Sequence, residues 1–250
     1  MFPIRDDNPN VLTPLVTYAL IAANAAAWLL LQGLGSEPAL SRSVCTLGLI
    51  PGELLGTVAA GTELPLGPSS SCIISASPSW ATAISSMFMH GGWLHLLGNM
   101  WFLWVFGDNV EDSMGHLRFA VFYLSCGLAA AGLQVATNPA SAVPMVGASG
   151  AIGGVMGAYI VLYPRVHVQV LVILGFYITT VAVPAIFMLG YWLLLQLLGG
   201  FSSFGATGGG VAFWAHVGGF AAGAVLVFPF RDSRLVAQQR RAAQARGRMV

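Results

Sequence analysis

Four polar side chains stand out because each lies within an apolar stretch of the sequence: His95, Asn99, Ser149 and His216. Polar and ionisable groups inside a membrane segment are costly and usually functional. A serine hydroxyl next to an imidazole can attack a carbonyl carbon while the ring takes the hydroxyl proton. The sequence therefore predicts a hydrolytic site in which Ser149 is the nucleophile and His216 is the general base.

The predicted nucleophile and base each belong to a row of small residues at helical spacing. The rows are Ser149–Gly153–Gly157 and His216–Gly219–Gly223. Because small residues let membrane helices approach closely, the two helices are predicted to pack directly on each other. That packing would bring the serine hydroxyl within hydrogen-bonding distance of the imidazole.

The glycine-flanked segment 147–150 also predicts an anion site, because it opens a helix. The first backbone N–H groups of a helix have no intrahelical partner and favour negative charge. The N–H groups of Ala148 and Ser149 are therefore expected to hold the oxyanion of a tetrahedral intermediate. His95 and Asn99, one helical turn apart, are expected to add side-chain donors.

The composition indicates a membrane environment and limits the mechanism. Hydrophobic residues make up 56% of the 250 residues and charged residues only 8%, whereas soluble domains carry about 25% charged residues. A polytopic helical membrane protein is therefore expected. No acidic residue lies between Asp112 and Asp232, so the sequence predicts a dyad rather than a triad with a carboxylate.

The apolar stretches predict six membrane helices, at about 13–33, 93–107, 115–136, 149–163, 184–198 and 211–228. Residues 1–12 form the N-terminal segment, residues 34–89 a long first loop, and residues 229–250 an arginine-rich tail. The stretch 168–180 is expected to lie along the membrane interface or dip into it. A bilayer core needs about 20 helical residues, and the second and fourth predicted helices are shorter. Both are therefore expected to begin below the membrane surface, beside a water-filled cavity.

The arginines predict the orientation of the chain. With both termini in the cytoplasm, only Arg42 of the ten arginines lies outside, as the positive-inside rule favours. The loops 34–89, 137–148 and 199–210 then face the outer side, and the predicted site opens towards that side. The inner membrane of a bacterium is the expected location.

Three stretches of the sequence resemble the signature motifs of the rhomboid proteases, in the order of that family. They are His90-Gly-Gly-Trp-Leu-His95-Leu-Leu-Gly-Asn99, Gly147-Ala148-Ser149-Gly150 and Ala215-His216-Val-Gly-Gly219-Phe-Ala-Ala-Gly223. The resemblance covers roughly residues 45–228. It implies an all-α bundle of six transmembrane helices, at 13–228, that cleaves the transmembrane helices of other proteins near their outer ends. It also implies a Ser149–His216 dyad with an oxyanion site at His95 and Asn99.

Gly153 departs from the family pattern, and the long first loop lacks the Trp-Arg pair of some relatives. Several bacterial rhomboids have a tyrosine, stacked on the catalytic histidine, where this sequence has Gly153. The ring of His216 therefore needs another packing partner, which the sequence does not identify.

The remaining candidates have structural interpretations. His90 is expected to tie down the loop before the second helix. The histidines do not converge with cysteines or carboxylates as metal ligands, so no metal or other cofactor is expected. Cys45 and Cys72 lie in one polar loop and can form a disulfide if that loop faces an oxidising compartment.

The predicted partners are membrane-protein substrates and the lipid bilayer. The arginine tail is most simply an orientation determinant with affinity for anionic lipid, and nucleic-acid binding is not expected. The sequence does not specify an oligomeric state. Two other functions stay open: a non-catalytic rhomboid-like factor that binds membrane proteins, and a small transporter. A transporter more typically has paired half-helices in an internal repeat and intramembrane carboxylates, and the sequence has neither.

Overall fold

The computed structural model of the protein describes residues 2–67, 70–203 and 210–245. The long helices form a bundle; its upper end is the end at which Trp93 lies and its lower end is the end at Met114. The elements in chain order are β1 (Phe2–Asp6), α1 (Leu15–Leu30), α2 (Ala39–Leu47), α3 (Pro51–Leu54), β2 (Glu63–Gly67), β3 (Ser70–Ile73), α4 (Thr82–Ser85), α5 (Trp93–Met114), α6 (His116–Thr137), α7 (Ser149–Leu162), β4 (His167–Leu174), β5 (Tyr177–Pro184), α8 (Ala185–Ser202), α9 (Phe213–Phe230) and α10 (Ser233–Ala245).

The six predicted membrane segments coincide with helices α1, α5, α6, α7, α8 and α9. By length and composition, α6, α8 and α9 can each cross a membrane, and α1 and α7 are shorter apolar helices. These helices mark an integral membrane protein. Part of the predicted loop 199–210 and the last residues of the predicted tail lie outside the described residues.

The prediction of a short second helix was wrong. Helix α5 has 22 residues, about 33 Å at 1.5 Å per residue, and only α7, with 14 residues, is short. The polar stretch that predicted a turn after residue 107 is helical because its carboxylates have buried partners. Glu111 accepts hydrogen bonds from the N–H groups of Val16 and Thr17, at 2.9 and 2.8 Å. The helix ends instead before Gly115, whose φ of +78° favours glycine.

Helix α7 lies at the centre of the bundle, in contact with α5, α6, α8 and α9. Every residue from Gly150 to Tyr159 is buried, as expected of a helix that is apolar on all sides. The glycines make this position possible. A Cβ on Gly219 of α9 would lie 1.8 Å from the carbonyl oxygen of Gly150, and one on Gly223 would lie 1.9 Å from that of Gly154. The predicted direct packing of the fourth on the sixth membrane helix is therefore present.

The prediction of an all-α fold was wrong for residues 168–180. These residues form the hairpin β4–β5, and β1 pairs with β4 to give a three-stranded antiparallel sheet in the order β1-β4-β5. Apolar β-branched residues suit such a pleated surface. Val168 and Val170 are completely buried and belong to the main core, so the sheet is part of the bundle rather than an appendage.

Two peripheral segments are more ordered than the sequence predicts. In the first loop, Cys45 and Cys72 form a disulfide that joins α2 to the small β2–β3 hairpin. In the arginine-rich tail, α10 packs on the lower end of α5. Its Gln239 is buried and donates a hydrogen bond to the Asn109 carbonyl at 3.2 Å.

Candidate active site

Ser149 and His216 lie side by side at the upper end of the bundle. The Ser149 Oγ and the His216 Nε2 are 2.7 Å apart, a normal length for a hydrogen bond. Ser149 is the first residue of α7 and His216 lies in the first turn of α9. Because the glycine contacts bring these two helix backbones together, residues 67 positions apart in the sequence meet.

The imidazole of His216 is held by α8, a contact that the sequence analysis missed. Gln196 Oε1 lies 2.8 Å from His216 Nδ1, and Gln196 Nε2 donates to the Trp192 carbonyl at 3.1 Å. Because the amide nitrogen is engaged with that carbonyl, the amide oxygen faces the ring. The proton therefore lies on Nδ1, and the Nε2 lone pair is directed at the Ser149 hydroxyl.

The indole of Trp192 packs on the same imidazole, with ring centroids 5.7 Å apart and 38° between the planes. It also stacks on Phe220, at 6.2 Å. Trp192 is thus the packing partner that the sequence could not name. The signal for Gln196 was present in the sequence, since it is the only amide side chain in the apolar helix α8 and such a residue is usually functional.

Polar donors converge on the turn before α7. The Gly91 N–H donates to His95 Nδ1 at 3.3 Å, which leaves His95 Nε2 to carry its proton and act as a donor. That nitrogen is close to Gly147, where a Cβ would lie only 2.6 Å from it. Gly147 also has a φ of +123°, so both its conformation and its neighbour require glycine.

Asn99 supplies a further donor to this turn. Its Nδ2 is buried and has no hydrogen-bond partner among the described residues, and it lies 3.4 Å from the position of a Cβ on Gly147. Buried polar groups are nearly always satisfied, so an unused donor beside Ser149 points to a role in binding. Ala148 is completely buried, and its N–H and that of Ser149 have no acceptor among the described residues. The N–H of Gly147 is engaged, since it donates to the Ser86 carbonyl at 2.9 Å.

His90 lies behind this group of donors. Its backbone N–H donates to Gln32 Oε1 and its carbonyl accepts from Gln32 Nε2, both at 2.8 Å. Its buried ring meets the ring of His95 edge-on, with centroids 5.2 Å apart. His90 thus ties the entry of α5 to the end of α1 and supports His95.

A cavity of about 460 Å³ lies in front of Ser149 and His216. Its walls come mainly from α5, α7 and the segments before α7 and α9, with one residue each from α8 and α9. They include Leu94, Phe102, Met145, Ile152, Met156, Trp192 and Val211 as well as His95 and Asn99. Its size and mostly apolar lining, with a few convergent polar groups, are typical of a ligand site. Among the described residues, no group of three or more histidine, cysteine or carboxylate side chains could hold a metal.

The fold and the site define a polytopic integral membrane protein with a hydrogen-bonded serine–histidine pair facing a cavity. The sequence model of the Rhomboid domain matches residues 77–233, more than half of the chain. The protein therefore belongs to the rhomboid family.

Curated relatives come from bacteria, plants and fungi. The chain is 33% identical to the rhomboid protease GluP of Bacillus subtilis over 44% of this chain and 21% of that protein. It is 38% identical to the chloroplastic Rhomboid-like protein 11 of Arabidopsis thaliana over 31% of this chain and 27% of the relative. It is 29% identical to the mitochondrial Rhomboid protein 1 of Saccharomyces cerevisiae over 66% of this chain and 46% of the relative. The matched region thus spans less than half of each of these relatives.

Proposed function

We propose that the protein is an intramembrane serine endopeptidase that hydrolyses peptide bonds in or near the transmembrane segments of other membrane proteins. The observation that carries the proposal is the 2.7 Å hydrogen bond between Ser149 Oγ and His216 Nε2. Family membership supports it, because relatives such as GluP and the putative protease YdcA of Bacillus subtilis are named as rhomboid proteases.

The first chemical step is attack of Ser149 Oγ on the carbonyl carbon of the scissile bond. The hydroxyl proton passes to His216 Nε2, and the Gln196 carbonyl group stabilises the resulting imidazolium through Nδ1–H. The negative charge that develops on the substrate oxygen meets the N–H groups of Ala148 and Ser149. His95 Nε2–H and Asn99 Nδ2–H complete this oxyanion site, in which each donor is typically worth about 3–4 kcal/mol of barrier.

The second half of the reaction reverses the proton path. His216 Nε2–H protonates the leaving amine, the C–N bond breaks, and an acyl ester remains on Ser149. A water molecule then attacks the ester while Nε2 takes its proton, which returns to Ser149 Oγ. The amide of Gln196 takes the orienting role that a carboxylate has in a triad, without placing a charge in the bundle.

The topology that suits this function has six membrane crossings, by α1, α5, α6, α7, α8 and α9, with both termini in the cytoplasm. The upper end of the bundle then faces the outer side of a bacterial inner membrane. In support, the exposed arginines of α10 lie at the lower end, where the positive-inside rule places them. The short helix α7 sets Ser149 below the upper membrane surface, at the depth where an unwound substrate helix would meet it.

The test is proteolysis by the purified protein in liposomes, with a single-span substrate. Wild type is compared with Ser149→Ala, His216→Ala and the control Ser125→Ala, whose hydroxyl bonds only to the Val121 carbonyl of its own helix. We expect cleavage to be lost in the first two and kept in the control, and a fluorophosphonate to label wild type but not Ser149→Ala.

A non-catalytic rhomboid-like factor that binds membrane proteins is the alternative. It predicts equal, background cleavage by all four proteins and no labelling of Ser149. That outcome across several substrates would reject the protease.

A further inference from the structure

The turn before α7, residues 144–147, leads directly into the proposed oxyanion site. These residues lie between α6 and α7 and belong to no helix or named strand. The N–H groups of Ala148 and Ser149 follow immediately, and Met145 forms part of the cavity wall. A change in the path of this turn would therefore move the oxyanion donors relative to the Ser149 hydroxyl.

The first loop holds this turn through backbone hydrogen bonds at two positions. The Leu49 N–H donates to the Met145 carbonyl at 3.0 Å, and the Met145 N–H donates to the Leu49 carbonyl at 2.7 Å. The Gly147 N–H donates to the Ser86 carbonyl at 2.9 Å. Both partners of the turn belong to the first loop, residues 34–89. The position of the turn therefore depends on how firmly that loop is fixed.

The end of α2 contacts the same turn. A Cβ on Gly48 would lie 3.1 Å from Val146 Cγ1 and 3.2 Å from Pro144 Cβ. The Ser85 hydroxyl donates to the Leu47 carbonyl at 2.8 Å, and the residue after Ser85 is the one that binds the turn. The end of α2 thus supports the turn both directly and through the segment before α5.

Helix α2 is itself weakly held by packing. It has nine residues, and its buried residues are Ser41 and Ser43, so none of its apolar side chains is fully buried. A helix of this length is marginal in water on its own, and helices in proteins are stabilised mainly by the packing of an apolar face. Helix α2 therefore needs another constraint if its end is to hold the turn.

The disulfide supplies such a constraint. It joins Cys45, in the last turn of α2, to Cys72 of β3, which is buried. The hairpin is fixed in turn to α3, because the Ser75 N–H donates to Glu53 Oε2 at 3.0 Å. Residues 46–52 are thus held at one end by the disulfide and at the other by α3, and the pairing with the turn before α7 lies between these two points.

We propose that the Cys45–Cys72 disulfide positions the oxyanion donors, because it fixes the end of α2 and with it the turn before α7. The kinetic consequence rests on the proposed function, whereas the link between the disulfide and the turn does not. Misplacement of a catalytic group by about 1 Å can cost on the order of 100-fold in rate. Disulfides persist in oxidising compartments, and the proposed topology places the first loop on the outer side of the membrane.

Reduction of the purified full chain in detergent tests the structural link. Dithiothreitol breaks the S–S bond to give two protein thiols and is itself oxidised to a cyclic disulfide. Hydrogen–deuterium exchange is compared for peptides spanning 45–52 and 141–148 and for a peptide within α7. We expect exchange at least tenfold faster in the first two after reduction, and unchanged exchange in α7. The same exchange before and after reduction would overturn the proposal.

The double variant Cys45→Ser/Cys72→Ser gives the same state without a reductant. Reduced wild type and the double variant should both show a kcat about tenfold lower, with KM nearly unchanged, and slower labelling of Ser149 by a fluorophosphonate. Oxidised glutathione should restore wild type but not the variant. Dithiothreitol should have no effect on the variant, since the remaining cysteine, Cys126, is already a free thiol.

Two outcomes separate the positioning role from the proposed function. Faster exchange in the turn with unchanged kcat would overturn the positioning role, because the turn would then loosen without effect on the reaction. If oxidised wild type neither cleaves substrates nor is labelled at Ser149, the proposed function fails. The exchange measurement then decides by itself whether the disulfide holds the turn.

Discussion

Helix α5 carries a pair of polar residues near each end, and the two pairs differ in how many of their hydrogen-bonding groups are used. At the lower end, Glu111 accepts from two backbone N–H groups and from the Thr17 hydroxyl. At the upper end, Asn99 Nδ2 has no partner among the described residues, although Asn99 is only 8% exposed.

The second member of each pair shows the same difference in hydrogen bonding. Asp112 accepts hydrogen bonds from the N–H groups of Val11 and Leu12, at 2.9 and 2.7 Å. His95 is engaged at Nδ1 by the Gly91 N–H, and its Nε2 faces the turn before Ser149. Both pairs are polar, but the lower pair has its hydrogen-bonding groups engaged and the upper pair has unused donors, which is the difference expected between a structural pair and one that binds a substrate.

The largest expected effect on catalysis is at the upper pair. Replacement of Asn99 by Ala removes an oxyanion donor, and such a loss typically lowers kcat by about 10²–10³. The thermal unfolding midpoint in detergent should barely change, because the amide nitrogen gives up no hydrogen bond of the protein. Kinetics and unfolding measured on the same preparation check this, and a large fall in stability with unchanged kcat would assign Asn99 to interhelical packing.

Substitution in the lower pair should lower the stability of the protein and leave its catalytic activity nearly unchanged. Glu111→Gln places an amide NH₂ against backbone N–H donors, and breaking a buried charged contact typically costs about 3–5 kcal/mol. The free energy of unfolding should fall by roughly that amount, while the activity of the protein that remains folded stays near wild type. The exposed Glu37→Gln is the control, and equal stability of the two variants would contradict the structural role.

A pH effect on stability should come from the lower end. Burial, with a further contribution from Asp108, raises the pKa of Asp6 to about 8, whereas an unfolded aspartate titrates near 3.9. Between these values the folded state holds one proton more, so stability falls as pH rises, by at most about 1.4 kcal/mol per pH unit, and levels off above pH 8. In Asp6→Asn the unfolding midpoint should change little between pH 5 and 8. A midpoint that falls with pH as steeply as in wild type would show that Asp6 does not titrate there.

The smallest expected effect concerns the support of His216. Gln196→Met keeps the volume of the side chain but removes the acceptor at Nδ1, so the imidazole loses its fixed tautomer. We expect kcat to fall about tenfold, equivalent to about 1.4 kcal/mol, with KM nearly unchanged. Gln196→Glu, which keeps an acceptor at Nδ1, should retain more activity than Gln196→Met. If both variants lose the same activity, Gln196 acts through packing alone.

The sequence by itself determined the membrane class, the approximate positions of six helices and the candidate pair Ser149 and His216. Each of these depends on local signals. An apolar run long enough for a bilayer requires a helix, glycines at helical spacing allow close helix packing, and polar residues in such runs are rare enough to draw attention. The catalytic roles of the site residues stay predictions until cleavage is measured.

Other features depend on contacts between residues that are distant in the sequence, and only the tertiary structure determines these contacts. Helix α5 continues through Asp108 and Glu111 because residues about 95 positions earlier satisfy the Glu111 carboxylate. Strand β4 is the central strand of a sheet because β1, from the start of the chain, pairs with its residues 168–171. Gln196 orients His216 only because α8 lies beside α9. In each case the conformation or the role of a residue depends on a partner that is distant in the sequence. No local pattern in the sequence identifies that partner.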